Sequence, residues 1–135
     1  MSIVQDNHSK FHKIFEMETR WNDMDSMGHI NNSVFLTYLE SARIDLFKKL
    51  EFKDVPFIMA SIKLDYLKQI KHPSNLKIGS KISRLGNKSF DIMSEIFVNN
   101  DLEPAAKAII ICVCYDYTKQ ITIPVPKRII KLYNN

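Results

Sequence analysis

Two carboxylates one residue apart, Asp23 and Asp25, open the stretch of this sequence with the clearest chemical potential. The run Arg20-Trp21-Asn22-Asp23-Met24-Asp25-Ser26-Met27-Gly28-His29-Ile30-Asn31-Asn32 is polar and rich in turn formers, and it ends where a strongly helical segment begins. The first backbone N–H groups of a helix lack intrahelical acceptors and sit at the positive end of its dipole. Such amides can hold a carbonyl oxygen as it gains negative charge. A carboxylate a few residues upstream can attack the carbonyl carbon or take a proton from water. Together these parts suit acyl transfer or hydrolysis. Aspartates are also ordinary turn and helix-start residues, so the spacing alone assigns no role.

Other chemistries find less material. The three glycines, Gly28, Gly79 and Gly86, lie too far apart for a dinucleotide fingerprint or a phosphate-binding loop. The four histidines, His8, His12, His29 and His72, show no metal-ligand spacing, so neither a metal nor a cofactor is expected. Cys112 and Cys114 share one face of a predicted core strand, where a bridge between them would be strained. They read as inert packing thiols in a reduced, cytoplasmic chain. No Gly-x-Ser-x-Gly elbow occurs, and Met24 and Met27 are expected to pack on the core.

The chain has 135 residues, enough for one domain spanning 1–135. Its formal net charge of +4 is scattered, with no basic arm, so no nucleic-acid partner is expected. The longest apolar run, Ala108 to Tyr115, falls far short of the ~20 residues that span a bilayer, so no membrane partner is expected either. The N-terminus carries no apolar secretion signal, and the polar residues 1–11 are expected to fray.

The elements that must position the aspartates follow from periodicity. Ile14 to Arg20 alternates as a strand with one wet face. Phe35, Tyr38, Leu39, Ala42, Leu46 and Leu50 recur at helical spacing, predicting a helix from Ser33 to about Leu50. Leu36, Ile44 and Phe47 add a second stripe, so this helix is expected to be buried on more than one side. Asn31, Asn32 or Ser33 can cap it. After Pro56 the period becomes two, giving strands over 58–67, 76–85, 89–98 and 105–118 separated by turns. Pro124 and Pro126 precede a short basic-apolar end, Lys127 to Tyr133. The sum is an α+β domain, an antiparallel meander on a buried helix. The strand after Ala105 is apolar on both faces, and one helix covers one face only. A second copy of the chain is the simplest cover, so at least a dimer is expected.

The long motif from Arg20 to Asn32, followed by Val34-Phe35-Leu36-Thr37-Tyr38-Leu39-Glu40-Ser41-Ala42-Arg43, resembles the signature of the 4-hydroxybenzoyl-CoA thioesterase family. Asp65-Tyr66-Leu67, Arg84-Leu85-Gly86-Asn87-Lys88-Ser89-Phe90 and Cys114-Tyr115-Asp116 extend the resemblance over roughly residues 14–130. It implies a hotdog fold, an antiparallel sheet of about five strands wrapped around one long central helix. It implies a homodimer or homotetramer, with chains paired edge to edge and active sites at the subunit interface. It implies hydrolysis of an acyl-CoA thioester, coenzyme A being part of the substrate. Asp25 then matches the catalytic carboxylate and Asp23 a less direct partner. The oxyanion donor is the backbone amide at Asn32, where some relatives carry histidine; here the histidine comes earlier, at His29, which is kept as a catalytic or positioning candidate. Arg84 and Lys88, flanking the Gly86 turn, are candidate contacts for the nucleotide end of coenzyme A; Ser89 is a further substrate-binding candidate, and Tyr38 is a substrate-binding candidate that lines the acyl pocket or packs elsewhere. The competing readings are a hotdog dehydratase or thioesterase acting on acyl-carrier protein, and a non-catalytic acyl-binding module.

Overall fold

In the computed structural model of the chain, residues 10–135 are described. The chain runs β1 (Lys13–Glu18), a 3₁₀ turn (Trp21–Asp23), α1 (Val34–Lys49), β2 (Phe57–Tyr66), β3 (Asn75–Leu85), β4 (Ser89–Val98), β5 (Ala106–Asp116), β6 (Ile121–Thr122) and α2 (Lys127–Tyr133). The long strands form one antiparallel sheet in the order β1-β3-β4-β5-β2, and β6 pairs with the end of β5. This is the expected hotdog arrangement, with α1 laid on one face of the sheet. The helix ends and strand ends fall within a few residues of those the periodicity predicts.

Phe35, Tyr38, Leu39, Ala42, Leu46 and Phe47 bury the inner face of α1. They meet the inward residues of the sheet: Leu76, Ile78 and Ile82 of β3, Phe90, Ile92 and Ile96 of β4, and Ala106, Ala108, Ile110, Cys112 and Cys114 of β5. Each of these strands contributes every second residue, as the pleat requires. Both thiols are buried and unbridged, and burial pushes Cys112 up to about 12 and Cys114 up to about 11, so neither is a nucleophile at neutral pH. No helix among the described residues is long and apolar enough to cross a membrane.

Three expectations change. Leu36 and Ile44 are each 42% exposed, because the sheet of a single chain reaches only one flank of α1; of the second stripe, Phe47 alone is covered. Met27 is 77% exposed at a loop tip, whereas Met24 is the methionine that packs on the core. The fraying expected of residues 1–9 lies outside the described residues, but Lys10 and Phe11 are ordered against the sheet. Phe11 is 8% exposed, packs over Gly79 and meets Phe97 edge-on at 6.1 Å, while Lys10 reaches Glu95 at 2.8 Å. A side chain at position 79 would collide with the Phe11 ring, which is why the strand carries glycine there.

His12 follows, and its Nδ1 accepts the Ile82 N–H at 3.0 Å beyond the last β1–β3 pair. That bond needs a neutral ring. Burial lowers the His12 pKa below its ordinary 6.5, and Lys81 and Lys49 lower it further. The unfolded chain therefore binds this proton more readily, so stability falls as pH drops below about 6.5 and through the lower folded value. His12→Asn keeps an acceptor without titrating. Urea midpoints measured from pH 8 to pH 5 should fall more steeply for the wild type than for His12→Asn; parallel curves would contradict this.

Candidate active site

The segment between β1 and α1 folds on itself. The 3₁₀ turn begins after Arg20, where the Asp23 carboxylate accepts the Arg20 backbone N–H at 3.0 Å and the guanidinium at 3.0 and 3.2 Å. The Tyr38 hydroxyl, from α1, donates to the same carboxylate at 2.6 Å. Asp23 is 3% exposed. Burial alone would raise its pKa, but the bonds from Tyr38 and Arg20 outweigh burial and hold it below the usual carboxylate range. Burial and the neighbouring Asp23 charge push the Tyr38 phenol upward.

Beyond Asp23 the chain closes a short loop. Met24 bridges to Ile30, Asp25 N–H donates to the His29 carbonyl at 2.7 Å, and Asn31 N–H donates to the Asp23 carbonyl at 2.9 Å. Gly28 makes the reversal at φ +84, a left-handed conformation that suits glycine. Ile30 N–H donates to Ile70 and His29 bridges to Lys71, anchoring the loop to the β2–β3 connection. Inside the loop, Asp25 Oδ1 accepts the Met27 and His29 amides at 2.8 and 3.1 Å. Its Oδ2 has no partner among the described residues, and the side chain is exposed.

The helix start is capped by Asn31 rather than by Asn32 or Ser33. Asn31 Oδ1 accepts the Ser33 amide at 2.9 Å and the Ser33 hydroxyl at 2.7 Å, and its carbonyl accepts the Val34 amide at 2.9 Å. The Asn32 amide, which precedes these two, is left without a partner among the described residues. The Asn32 carbonyl accepts the Tyr66 hydroxyl at 2.7 Å, tying the end of β2 to the start of α1. Asp25, His29 and Asn32 thus share one loop and helix start. The His29 backbone makes both bonds to Asp25, while its ring makes no hydrogen bond among the described residues.

The expected binding residues lie elsewhere. Tyr38 is 0% exposed and committed to Asp23, so it offers no surface to an acyl group; the expectation that it contacts substrate is corrected by its enclosure. Arg84 donates to the Ser89 hydroxyl at 3.0 Å and pairs with Asp91 at 2.9 Å. Lys88 is exposed at the β3–β4 hairpin, and its carbonyl accepts the Cys114 amide. This hairpin stands at the far end of the sheet from Asn32: Phe57 pairs with Cys114 at one end of β2, and Tyr66 with Ala106 at the other. Ten residues of strand separate those ends by about 30 Å. A cleft of about 570 Å³, lined by Lys53, Val55, Tyr115 and Tyr117 among others, is also at the hairpin end. Among the described residues no group of three His, Cys, Asp or Glu side chains gathers as a metal site.

The Arg20–Asp23–Tyr38 network escaped the sequence reading. Its signals were present: an acid three residues after Arg20, and a tyrosine on a buried helical face, whose hydroxyl must find a partner.

Comparison with known proteins agrees with this architecture. Residues 19–131 match the model of the family described as the Thioesterase-like superfamily. The uncharacterized protein YsmA of Bacillus subtilis (strain 168) is 35% identical over 81 residues, which are 57% of this chain and 55% of that protein, so the similarity spans little more than half of it. The long-chain acyl-CoA thioesterase FadM of Escherichia coli (strain K12) is 26% identical over 111 residues, covering 78% of this chain and 84% of that one. A crystal structure of a thioesterase from Thermus thermophilus, complexed with coenzyme A and Zn, superposes with a TM-score of 0.83 at 29% identity, covering 93% of this chain and 99% of that one. With its fold superposing and residues 19–131 matched to the family, the chain belongs to the thioesterase-like superfamily and is a hotdog-fold thioester hydrolase.

Proposed function

We propose that the protein hydrolyses acyl-CoA thioesters, with Asp25 as the catalytic carboxylate and the Asn32 amide as the oxyanion donor. One observation carries the reading: a carboxylate fixed through one oxygen by two amides, in the loop that leads to the helix start, where its other oxygen and the Asn32 N–H have no partner among the described residues. Asp25 attacks the thioester carbon, expelling the thiolate to leave an anhydride that water cleaves, or it takes a proton from water that attacks directly. In both routes the carbonyl oxygen gains charge beside the Asn32 amide. A thiol loses its proton near pH 8.5, ~7 units below water, so the thiolate leaves without a strong general acid. The reaction drawn this way uses no cofactor. FadM, named as acting on long-chain acyl-CoA, and the coenzyme A complex of the Thermus enzyme support coenzyme A as the carrier. The Asp23-x-Asp25 motif supports kinship with the 4-hydroxybenzoyl-CoA thioesterases within the superfamily.

The separation along the sheet supports an active site shared between two copies. Within one chain, Arg84 and Lys88 stand a strand's length from Asp25. β2 is a sheet edge, and Ile58 and Met59 on it are 37% and 45% exposed. Antiparallel pairing of β2 with its counterpart in a second copy sets the helix-start end of one chain beside the hairpin end of the other. The Arg84 and Lys88 charges of one copy then face the phosphates of a thioester held at Asp25 of the other. The test is release of free thiol from short-chain, long-chain and aromatic acyl-CoAs, alongside light scattering. We expect turnover by a dimer or larger assembly. For the Arg84→Ala/Lys88→Ala double variant we expect KM raised about tenfold, or ~1.4 kcal/mol, with kcat kept. Turnover of acyl-carrier-protein thioesters alone, or full activity in a stable monomer, would overturn the respective half of the reading.

A further inference from the structure

We propose that Tyr38, Asp23 and Arg20 form a clamp that sets where the Asp25 carboxylate stands relative to the start of α1, an inference that rests on Asp25 being the catalytic carboxylate. Tyr38 and Arg20 are then positioning residues of the hydrolysis, not contacts of the substrate.

A carboxylate has about four lone-pair sites. Those of Asp23 meet the Tyr38 hydroxyl, the Arg20 backbone amide, and Nε and Nη2 of the Arg20 guanidinium. Asp23 is therefore saturated and enclosed, with no site left for a substrate or a water. Its main chain lies at the junction of the active loop: its carbonyl receives Asn31, and two residues onward stands Asp25. Holding Asp23 still therefore holds both ends of the loop. The other loop anchors, Ile30 to Ile70 and His29 to Lys71, lead to the β2–β3 connection. Among the described residues, Tyr38 is the α1 side chain that hydrogen-bonds residues 20–29, and the Asn32 amide stands two residues before α1 begins. The Tyr38 hydroxyl is thus the side-chain link that ties the carboxylate's loop to the helix that directly follows the oxyanion donor. A misplacement of ~1 Å between such partners costs on the order of 10²-fold in rate.

The test is Tyr38→Phe, which keeps the ring and removes the hydroxyl, assayed per folded molecule well below its melting temperature. We expect kcat to fall about 10- to 100-fold with KM for acyl-CoA within about threefold of wild type. The clamp acts through Asp25, so in an Asp25→Asn background Tyr38→Phe should change the residual rate by less than about threefold. Arg20→Gln removes the exposed half of the clamp without touching the core, and it should lower kcat in the same sense even if Tyr38→Phe fails to fold. Wild-type kcat in both single variants overturns the clamp. So does an equal loss from Tyr38→Phe in the presence and absence of Asp25, which would mark a general packing defect. If Asp25→Asn itself retains activity, the assignment of Asp25 falls and the clamp with it. If Asp25→Asn is inactive while Tyr38→Phe is normal, only the clamp falls.

Discussion

Asp25→Asn should lower the rate of thioester hydrolysis by at least ~10²-fold while leaving the protein folded. The substitution is informative because asparagine keeps an Oδ1 where the Met27 and His29 amides need an acceptor. The loop closure is preserved, and the side chain is already exposed, so the melting temperature should stay within about 2 °C. What disappears is the anionic oxygen that has no partner among the described residues. An amide is neither a nucleophile toward a thioester nor a base at neutral pH, so both chemical routes are blocked together. Removing one oxyanion donor from such a site costs ~10²–10³ in rate, and removing the reacting group costs at least as much. The effect should appear in kcat, with acyl-CoA binding little altered. The measurement is thiol release by both proteins across the acyl-CoA panel. Retention of more than about a tenth of the wild-type rate on the best substrate would remove Asp25 from the centre of the mechanism.

The parts of this molecule written as local periodicity were legible in the sequence. The spacing Phe35, Tyr38, Leu39, Ala42, Leu46 marks a helix face, and the helix runs Val34–Lys49. Alternation through Phe90, Ile92, Ile96 and Val98 marks an inward strand face, and all four are buried. The turn-rich composition of the loop between β1 and α1 was legible for a similar reason, since its bonds are local: Asp25 holds amides two and four residues ahead, and Asn31 caps an amide two residues ahead. The rest depends on distances that close only in three dimensions. Periodicity placed Tyr38 inward but did not reveal the acceptor of its hydroxyl, because Asp23 is fifteen residues away across a loop. The same limit applies to Arg84 and Lys88. Their charges suit a phosphate, yet which end of the sheet they occupy is set by the order of antiparallel turns, and it proves to be the end away from Asp25. Leu36 and Ile44 completed an apolar helix by composition, and the sheet of one chain is too narrow to cover both flanks.

Asn32→Pro should cost the enzyme ~10²–10³ in kcat, while Asn32→Ala leaves it near wild type. The contrast isolates a backbone atom. The Asn32 side chain makes no hydrogen bond among the described residues, so alanine removes nothing the site uses and retains the N–H. Proline removes that N–H alone: the carbonyl remains to accept the Tyr66 hydroxyl, and the Ser33 and Val34 amides keep their bonds to Asn31. A fixed φ near −65° is tolerated at the beginning of a helix, where the missing donor has no intrahelical acceptor to lose. The N–H, unpaired among the described residues, is therefore the hydrogen-bonding group that distinguishes the two variants. In the transition state the thioester oxygen carries most of a negative charge, and a positioned N–H at the positive end of α1 stabilises that charge more than it stabilises the neutral ground-state carbonyl. The loss should thus fall on kcat and on kcat/KM alike, with KM little changed. Circular dichroism of both variants checks that α1 is intact. Equal rates for the proline and alanine enzymes would show that the oxyanion is held by some other donor, and the helix start would then serve only to place Asp25.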